Sequence, residues 1–109
     1  MLKAVVLIKK RPDLAYDEFA RYWTEVHAPI VTQLPGMRRF VQNVVDMNAQ
    51  QQPAPFDGMA ESWWDDLSSV RAIRDGEAYA RMIADEENLI DRSATRTMLV
   101  REYEHPIRR

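Results

Sequence analysis

The chain has no cysteine, two histidines and three glycines among its 109 residues. The first absence excludes disulfides, thiolate metal sites and a cysteine nucleophile. It does not decide the cellular compartment. There is no glycine-rich phosphate loop, no nucleotide fingerprint and no Ser-His-Asp arrangement readable from spacing. Charge of one sign is lacking as well. Lysine and arginine total 15 against 17 acidic residues, a net charge of −2, which gives no electrostatic reason to expect DNA or RNA as a partner. Long apolar runs are missing too: Ala4 to Ile8 is too short for a signal-peptide core or a membrane span. The expectation is a cytoplasmic protein without a membrane or nucleic-acid partner. What is present is 46% hydrophobic and 29% charged residues, enough for one buried core and too little chain for two. Residues 1–109 read as a single domain.

Leu2 to Lys9 is aliphatic and β-branched and stops at Arg11-Pro12, the pattern of a strand. Leu2, Ala4, Val6 and Ile8 point one way while Val5 and Leu7 point the other, so both faces of this strand require cover. Two helical regions can cover only one face of a sheet. The other face is left for a second subunit. From Tyr16 to Leu34, Phe19, Tyr22, Trp23, Val26, Ile30 and Leu34 recur at helical spacing, with Asp17 and Glu18 in the first turn. Ala15 stands where a capping side chain is expected, which leaves Asp13 as the candidate cap or a frayed start. Pro29 has no N–H for the carbonyl of Glu25, so a kink or break is expected near Ala28.

Pro35-Gly36 ends that region, and Met37 to Met47 reads as a strand with Phe40, Gln42 and Val44 on one face. Arg39, Val41, Asn43 and Val45 take the other face. Asn48 to Pro55 has no apolar period and reads as a loop. Asp57 to Trp64 alternates as a third strand. A second helical region starts near Asp66 with Leu67, Val70 and Ile73, breaks at Gly76 and resumes through Tyr79, Met82 and Ile83. Arg96 to Tyr103 closes the chain as a fourth strand. The order β-α-β-β-α-β is that of an α+β, ferredoxin-like sandwich.

The stretch Phe19-Ala-Arg-Tyr-Trp-Thr-Glu-Val-His27-Ala-Pro29-Ile-Val resembles the signature of EthD-type proteins, in which an aromatic, a histidine and a proline follow in that order. Leu34 to Asn43 resembles the family's second-strand entry, Asp57 to Asp65 its third strand, and Asp85 to Asp91 the turn before its last strand. The resemblance implies a dimeric α/β barrel: two four-stranded sheets, one from each subunit of a homodimer, pack face to face with the helices outside. It also implies a ligand pocket inside each subunit, between sheet and helices. The wider group includes cofactor-free isomerases, cyclases, dehydratases and monooxygenases, together with proteins of degradation systems. Fold alone therefore does not select a function.

His27 lies one turn after Trp23 and two after Phe19, at the border of the apolar stripe, where it can reach the sheet. Its imidazole is the one side chain here suited to both take and give a proton near neutrality. The family motif has its histidine at this position. The structural alternative is that His27 caps carbonyls freed by Pro29. Related isomerases pair the histidine with a third-strand cysteine, a position occupied here by Ser62. Serine without an activating base is a poor nucleophile, which leaves it to hydrogen-bond a substrate oxygen or to let helix and sheet approach. Phe40, at the corresponding second-strand aromatic, is expected to shape an apolar wall.

Strand alternation puts Trp64 on the Ser62 side and Trp63 on the Glu61 side. Trp23, Phe40, Ser62 and Trp64 are thus the expected ligand-binding set, with Trp63 at the subunit interface. Glu61, flanked by Met59 and Trp63, needs a partner, for which Arg39 is the natural choice. Asp85, Glu86 and Glu87 read as a solvated helix end, and His105 as part of a tail. No metal and no cofactor are expected. Three functions compete. One is an enzyme using His27 as acid/base in an isomerisation, cyclisation or dehydration of a small oxygenated, largely apolar molecule. A relative of it would be a cofactor-independent oxidoreductase of the same fold. The second is a non-catalytic binding or accessory protein using the same cavity. The third, an RNA-recognition module with the same element order, ranks last because the third strand runs into Glu61, Asp65 and Asp66.

Overall fold

A computed structural model describes residues 1–109. Four strands, β1 (Leu2–Ile8), β2 (Met37–Val44), β3 (Gly58–Trp64) and β4 (Arg96–Val100), form one antiparallel sheet in the order β2-β3-β1-β4. This is the α+β order read from the sequence. In register, Ala4 faces Ser62 and Val6 faces Ala60 across β1 and β3, while Phe40 faces Ser62 and Gln42 faces Ala60 across β2 and β3. Because side chains alternate along a strand, these residues share one face with Trp64. Lys3, Val5, Leu7, Arg39, Val41, Asn43, Met59, Glu61 and Trp63 occupy the other. An extra residue between Met37 and Arg39 shifts the register there, which returns both Met37 and Phe40 to the Ser62 face.

Helices α1 (Tyr16–Tyr22), α2 (Ala28–Val31), α3 (Leu67–Ala72) and α4 (Glu77–Glu86) cover that face. Two buried clusters fasten them to it. Ile8, Phe19, Trp23, Ala60 and Leu89 form one; Val31, Leu34, Trp64 and Ile73 form the other. Phe40 packs against both. The turn after α2 needs a glycine, since Gly36 has φ +83, a region that other residues rarely enter.

Four expectations about local structure are corrected. The first helical region does not break at Ala28; it widens. Trp23–His27 forms a π turn in which the Ala28 N–H donates to the Trp23 carbonyl five residues back, relieving the crowding that a proline ring imposes on the preceding turn. The widened turn also rotates Val26 off the buried stripe, leaving it 44% exposed. Secondly, Asp13 is not the helix cap, because it pairs with Arg11 at 2.6 Å. The Ala15 N–H is instead satisfied by the Glu18 carboxylate at 3.1 Å, the return arm of a capping box. Thirdly, β2 ends at Val44 rather than Met47. The Asp46 side chain accepts from the N–H groups of Asn48 and Ala49 and caps a short 3₁₀ turn over Met47–Ala49. Fourthly, β4 stops at Val100, and residues 101–109 are exposed without regular structure. The break at Gly76 falls where expected, between the 3₁₀ turn Ile73–Asp75 and α4.

Candidate active site

Between the helices and the inner face of the sheet lies a cavity of about 440 Å³. Trp23, His27, Phe40, Ser62 and Trp64 all stand on its wall, and 16 of its 23 lining residues are hydrophobic. Such a lining suits a mainly apolar ligand oriented by a few polar groups. The cavity sits where the two buried clusters fail to meet, with Trp23 belonging to one and Trp64 to the other. Trp23 stacks on Phe19 with ring centroids 5.5 Å apart. Its ring lies so close to Gly58 that a Cβ there would come within 2.8 Å of it. Glycine at this point of β3 is what lets the indole reach the sheet.

His27 is 6% exposed. Its Nδ1 lies 2.7 Å from the Asp85 carboxylate. Asp85 also accepts from the Tyr22 hydroxyl at 2.5 Å and from the Asn88 amide at 3.2 Å. Burial pushes the Asp85 carboxyl up, but the hydrogen bonds from Tyr22, His27 and Asn88 outweigh it and hold the group below its ordinary value. The Tyr22 phenol is raised, first by this bond to Asp85 and then by burial, so it stays a donor. An ionised carboxylate can only accept; Nδ1 therefore carries a proton, and in the neutral ring Nε2 carries the lone pair. Nε2 has no protein partner, yet no side-chain nitrogen or oxygen is sealed away without one. It opens to the cavity that His27 lines. A neutral imidazole fixed in this tautomer by a carboxylate is the geometry of a general base.

This arrangement corrects two expectations. His27 does not cap the carbonyls freed by Pro29; its Nδ1 is engaged by Asp85 and its ring makes no hydrogen bond to a backbone carbonyl. Nor is the acidic run after Ala84 a solvated helix end. Asp85 is 10% exposed at its side chain and holds His27. Glu86, with its side chain 20% exposed, lines the cavity. Only Glu87 is solvated. The signal for Glu86 was in the sequence: Tyr79, Met82, Ile83 and Glu86 follow the i, i+3, i+4, i+7 pattern of a buried helix face.

Ser62 has no base beside it. Its Oγ accepts from the Trp64 indole N–H at 2.8 Å, so its own proton is left to donate into the cavity. Phe40 presents only ring atoms. On the opposite face, the partner of Glu61 is Lys3, not Arg39. Lys3 forms the ion pair and the Asn43 amide donates at 2.8 Å; these two bonds draw the Glu61 carboxyl below its usual range. Arg39 instead lies over the Trp63 ring, 4.4 Å from its centroid, while the Trp63 indole donates to Glu102. Lys3 is shorter than arginine in donors but stands directly across from Trp63 in the β1–β3 register, which sequence spacing along one strand does not reveal.

No group of three or more metal-ligating side chains converges anywhere, and no helix is long and apolar enough to cross a membrane. A larger depression of about 650 Å³, lined by Arg11, Glu87, Asp91, Arg92 and Ser93 among others, is open and polar and has one hydrophobic residue. It lacks the enclosing walls that a small-molecule site uses to exclude water.

The fold and the cavity between sheet and helices place the molecule among ferredoxin-like α+β proteins. Residues 11–93 match the model of the EthD domain, and the chain belongs to the EthD family. No curated protein matches it in sequence. Among solved structures it is similar to an ethyl tert-butyl ether D (EthD) family protein of Bacillus halodurans, with 17% identity, a TM-score of 0.76 and coverage of 94% of this chain and 100% of that one. It is also similar to SnoaB, a cofactor-independent oxygenase of Streptomyces nogalater, at 13% identity and TM-score 0.63 over 95% and 94% of the two chains. A dimeric ferredoxin-like protein from Bacteroides fragilis matches at 14% identity and TM-score 0.63 over 91% of each chain. At these identities the likeness establishes the fold.

Proposed function

We propose that this protein is a cofactor-free enzyme that moves a proton on a small, oxygenated, largely apolar molecule, with His27 as the base. The observation that carries this reading is the Asp85-held imidazole whose Nε2 opens into an apolar cavity. Trp23, Phe40 and Trp64 would bind the hydrocarbon body, and the Ser62 hydroxyl would donate to a substrate oxygen. Proton removal next to a carbonyl is the step shared by isomerisation, cyclisation and dehydration. A low-dielectric cavity that excludes competing water favours it.

The proposed working form is a cytoplasmic homodimer closed through the outer face of the sheet. Val41, Glu61, Val5 and Met98 form a row across that face by strand register, with Met98 50% exposed. Glu61 in this row is already neutralised by Lys3, so the row offers apolar area without a free charge. The dimeric protein of Bacteroides fragilis, which shares the fold, is in keeping with this.

A second reading, a cofactor-independent oxygenase, has the shared fold of SnoaB in its favour. The same base would generate the carbanion that such a reaction passes to dioxygen. The test is a mass-spectrometric screen of wild type and His27→Ala against lactones, quinones and phenolic ketones, with dioxygen consumption followed in parallel. Conversion by wild type, with a loss of about 10²–10⁴-fold in His27→Ala and unimpaired binding, is the expected result; oxygen uptake coupled to conversion selects the second reading. Equal binding by both proteins with no conversion by either would leave a non-catalytic binding protein.

A further inference from the structure

Resting on the His27 reading, we propose that Glu86 is the acid that works opposite His27 in the same cavity, and that the substrates are ketones or lactones with a hydrogen on the carbon next to the carbonyl. Asp85 and Glu86 are consecutive in α4, yet their side chains do different things. Asp85 is held by three donors and orients His27. Glu86 lines the cavity, is mostly buried, and receives no hydrogen bond from any protein group. A carboxyl placed in an apolar wall, whose ion pair with Arg92 at 3.6 Å falls short of a hydrogen bond, is under-satisfied as a carboxylate and well suited as a carboxylic acid, which donates to a ligand carbonyl.

The charges that face Glu86 are few. Arg92 stands 3.6 Å away, but its guanidinium is shared with Glu87 at 3.5 Å and with the Ile83 carbonyl at 2.6 Å. Asp85 and Glu87 flank Glu86 on α4, and His27 and Arg74 share the cavity wall. Burial, only partly offset by Arg92 and reinforced by Asp85 and Glu87, pushes the Glu86 carboxyl above its ordinary range. Two neighbouring carboxyls are thus driven in opposite directions, the arrangement that separates a base-supporting group from an acid.

The step balances without a co-reactant. His27 Nε2 takes the proton from the carbon next to the carbonyl, and that C–H electron pair becomes the C=C bond. The carbonyl π pair takes the Glu86 proton and becomes the enol O–H. The enzyme is left with imidazolium at His27 and carboxylate at Glu86, and proton return from one to the other, through solvent or substrate, resets it.

The experiment uses 2-tetralone and dihydrocoumarin as probes in D₂O, following hydrogen–deuterium exchange at the carbon next to the carbonyl by mass spectrometry, with binding measured by calorimetry from pH 5 to 8. Glu86→Gln keeps a donor but has no proton to transfer. It should bind the probes as wild type does at the acid end of the range and exchange them about 10²-fold more slowly or worse. Wild-type affinity should fall as pH rises and Glu86 ionises, and Glu86→Gln should lack that fall. Exchange at the wild-type rate in Glu86→Gln, with His27→Ala inactive, would overturn the role of Glu86 and leave the His27 reading in place. Absence of exchange in wild type, together with pH-independent binding, would overturn both.

Discussion

The two faces of the sheet are built from alternate residues of the same strands and solve opposite problems. The inner face steps from Gly58 through Ala60 and Ser62 to Trp64, leaving room for the Trp23 ring at one end and closing on an indole at the other. Its polar groups are few, with Ser62 accepting from the Trp64 indole and Gln42 donating to the Trp23 carbonyl. The outer face carries Lys3, Glu61, Asn43 and Arg39 among Val5, Leu7, Val41 and Met59, with Glu102 of the tail hydrogen-bonded to Trp63 and paired with Lys3. There the charges neutralise one another. A one-residue offset along β3, Glu61 to Ser62 or Trp63 to Trp64, thus moves a side chain from the charged outer face to the wall of the cavity.

Four substitutions test that division, in order of expected effect. Phe19→Ala removes a fully buried ring stacked on Trp23. It should cost about 3–5 kcal/mol in chemical denaturation, and loss of inner-face packing should abolish probe binding while the protein remains folded. A cost below about 1 kcal/mol would mean that the Trp23 cluster is not what holds helix to sheet. Met98→Lys places a charge in the outer row. Sedimentation should show dimer dissociation strengthened about tenfold or more, equivalent to about 1.4 kcal/mol, with exchange activity in the remaining dimer unchanged; an unaffected dimer would move the interface elsewhere.

The smallest effect concerns pH and separates the two carboxyls of α4. Asp85 is held below its ordinary value, so its stabilisation is complete above about pH 4 and is lost as pH falls through the folded value. Asp85→Asn should flatten the acid limb of the stability curve. Glu86 is raised, so folding loses stability as pH climbs from about 4.3 through its folded value. Glu86→Gln should therefore gain on wild type as pH climbs above about 4.3. Thermal melts across pH showing the same sign for both variants would remove the distinction on which the acid assignment rests.

Much of this was legible in the sequence. Strand alternation sorted Trp63 from Trp64, the aromatic–histidine–proline stretch singled out His27, and the element order gave the sandwich. What escaped were contacts between segments distant in the chain. Asp85 and His27 are 58 residues apart, and no local pattern announces that a carboxylate at the end of α4 will meet the π turn. Lys3 as the partner of Glu61 depends on strand register, which composition does not encode. The π turn over Trp23–His27 also escaped, because proline only forbids one hydrogen bond and leaves open how the helix accommodates the loss.

The placement of the three indoles has an optical consequence. Trp23 and Trp64 border the cavity, while Trp63 lies on the far side of the sheet between two cationic side chains. With Trp63 replaced by phenylalanine, emission would report occupancy of the cavity. With Trp23 and Trp64 replaced instead, it would report whether the outer face is covered, so that ligand entry and subunit pairing could be watched separately, in real time, in an unlabelled protein.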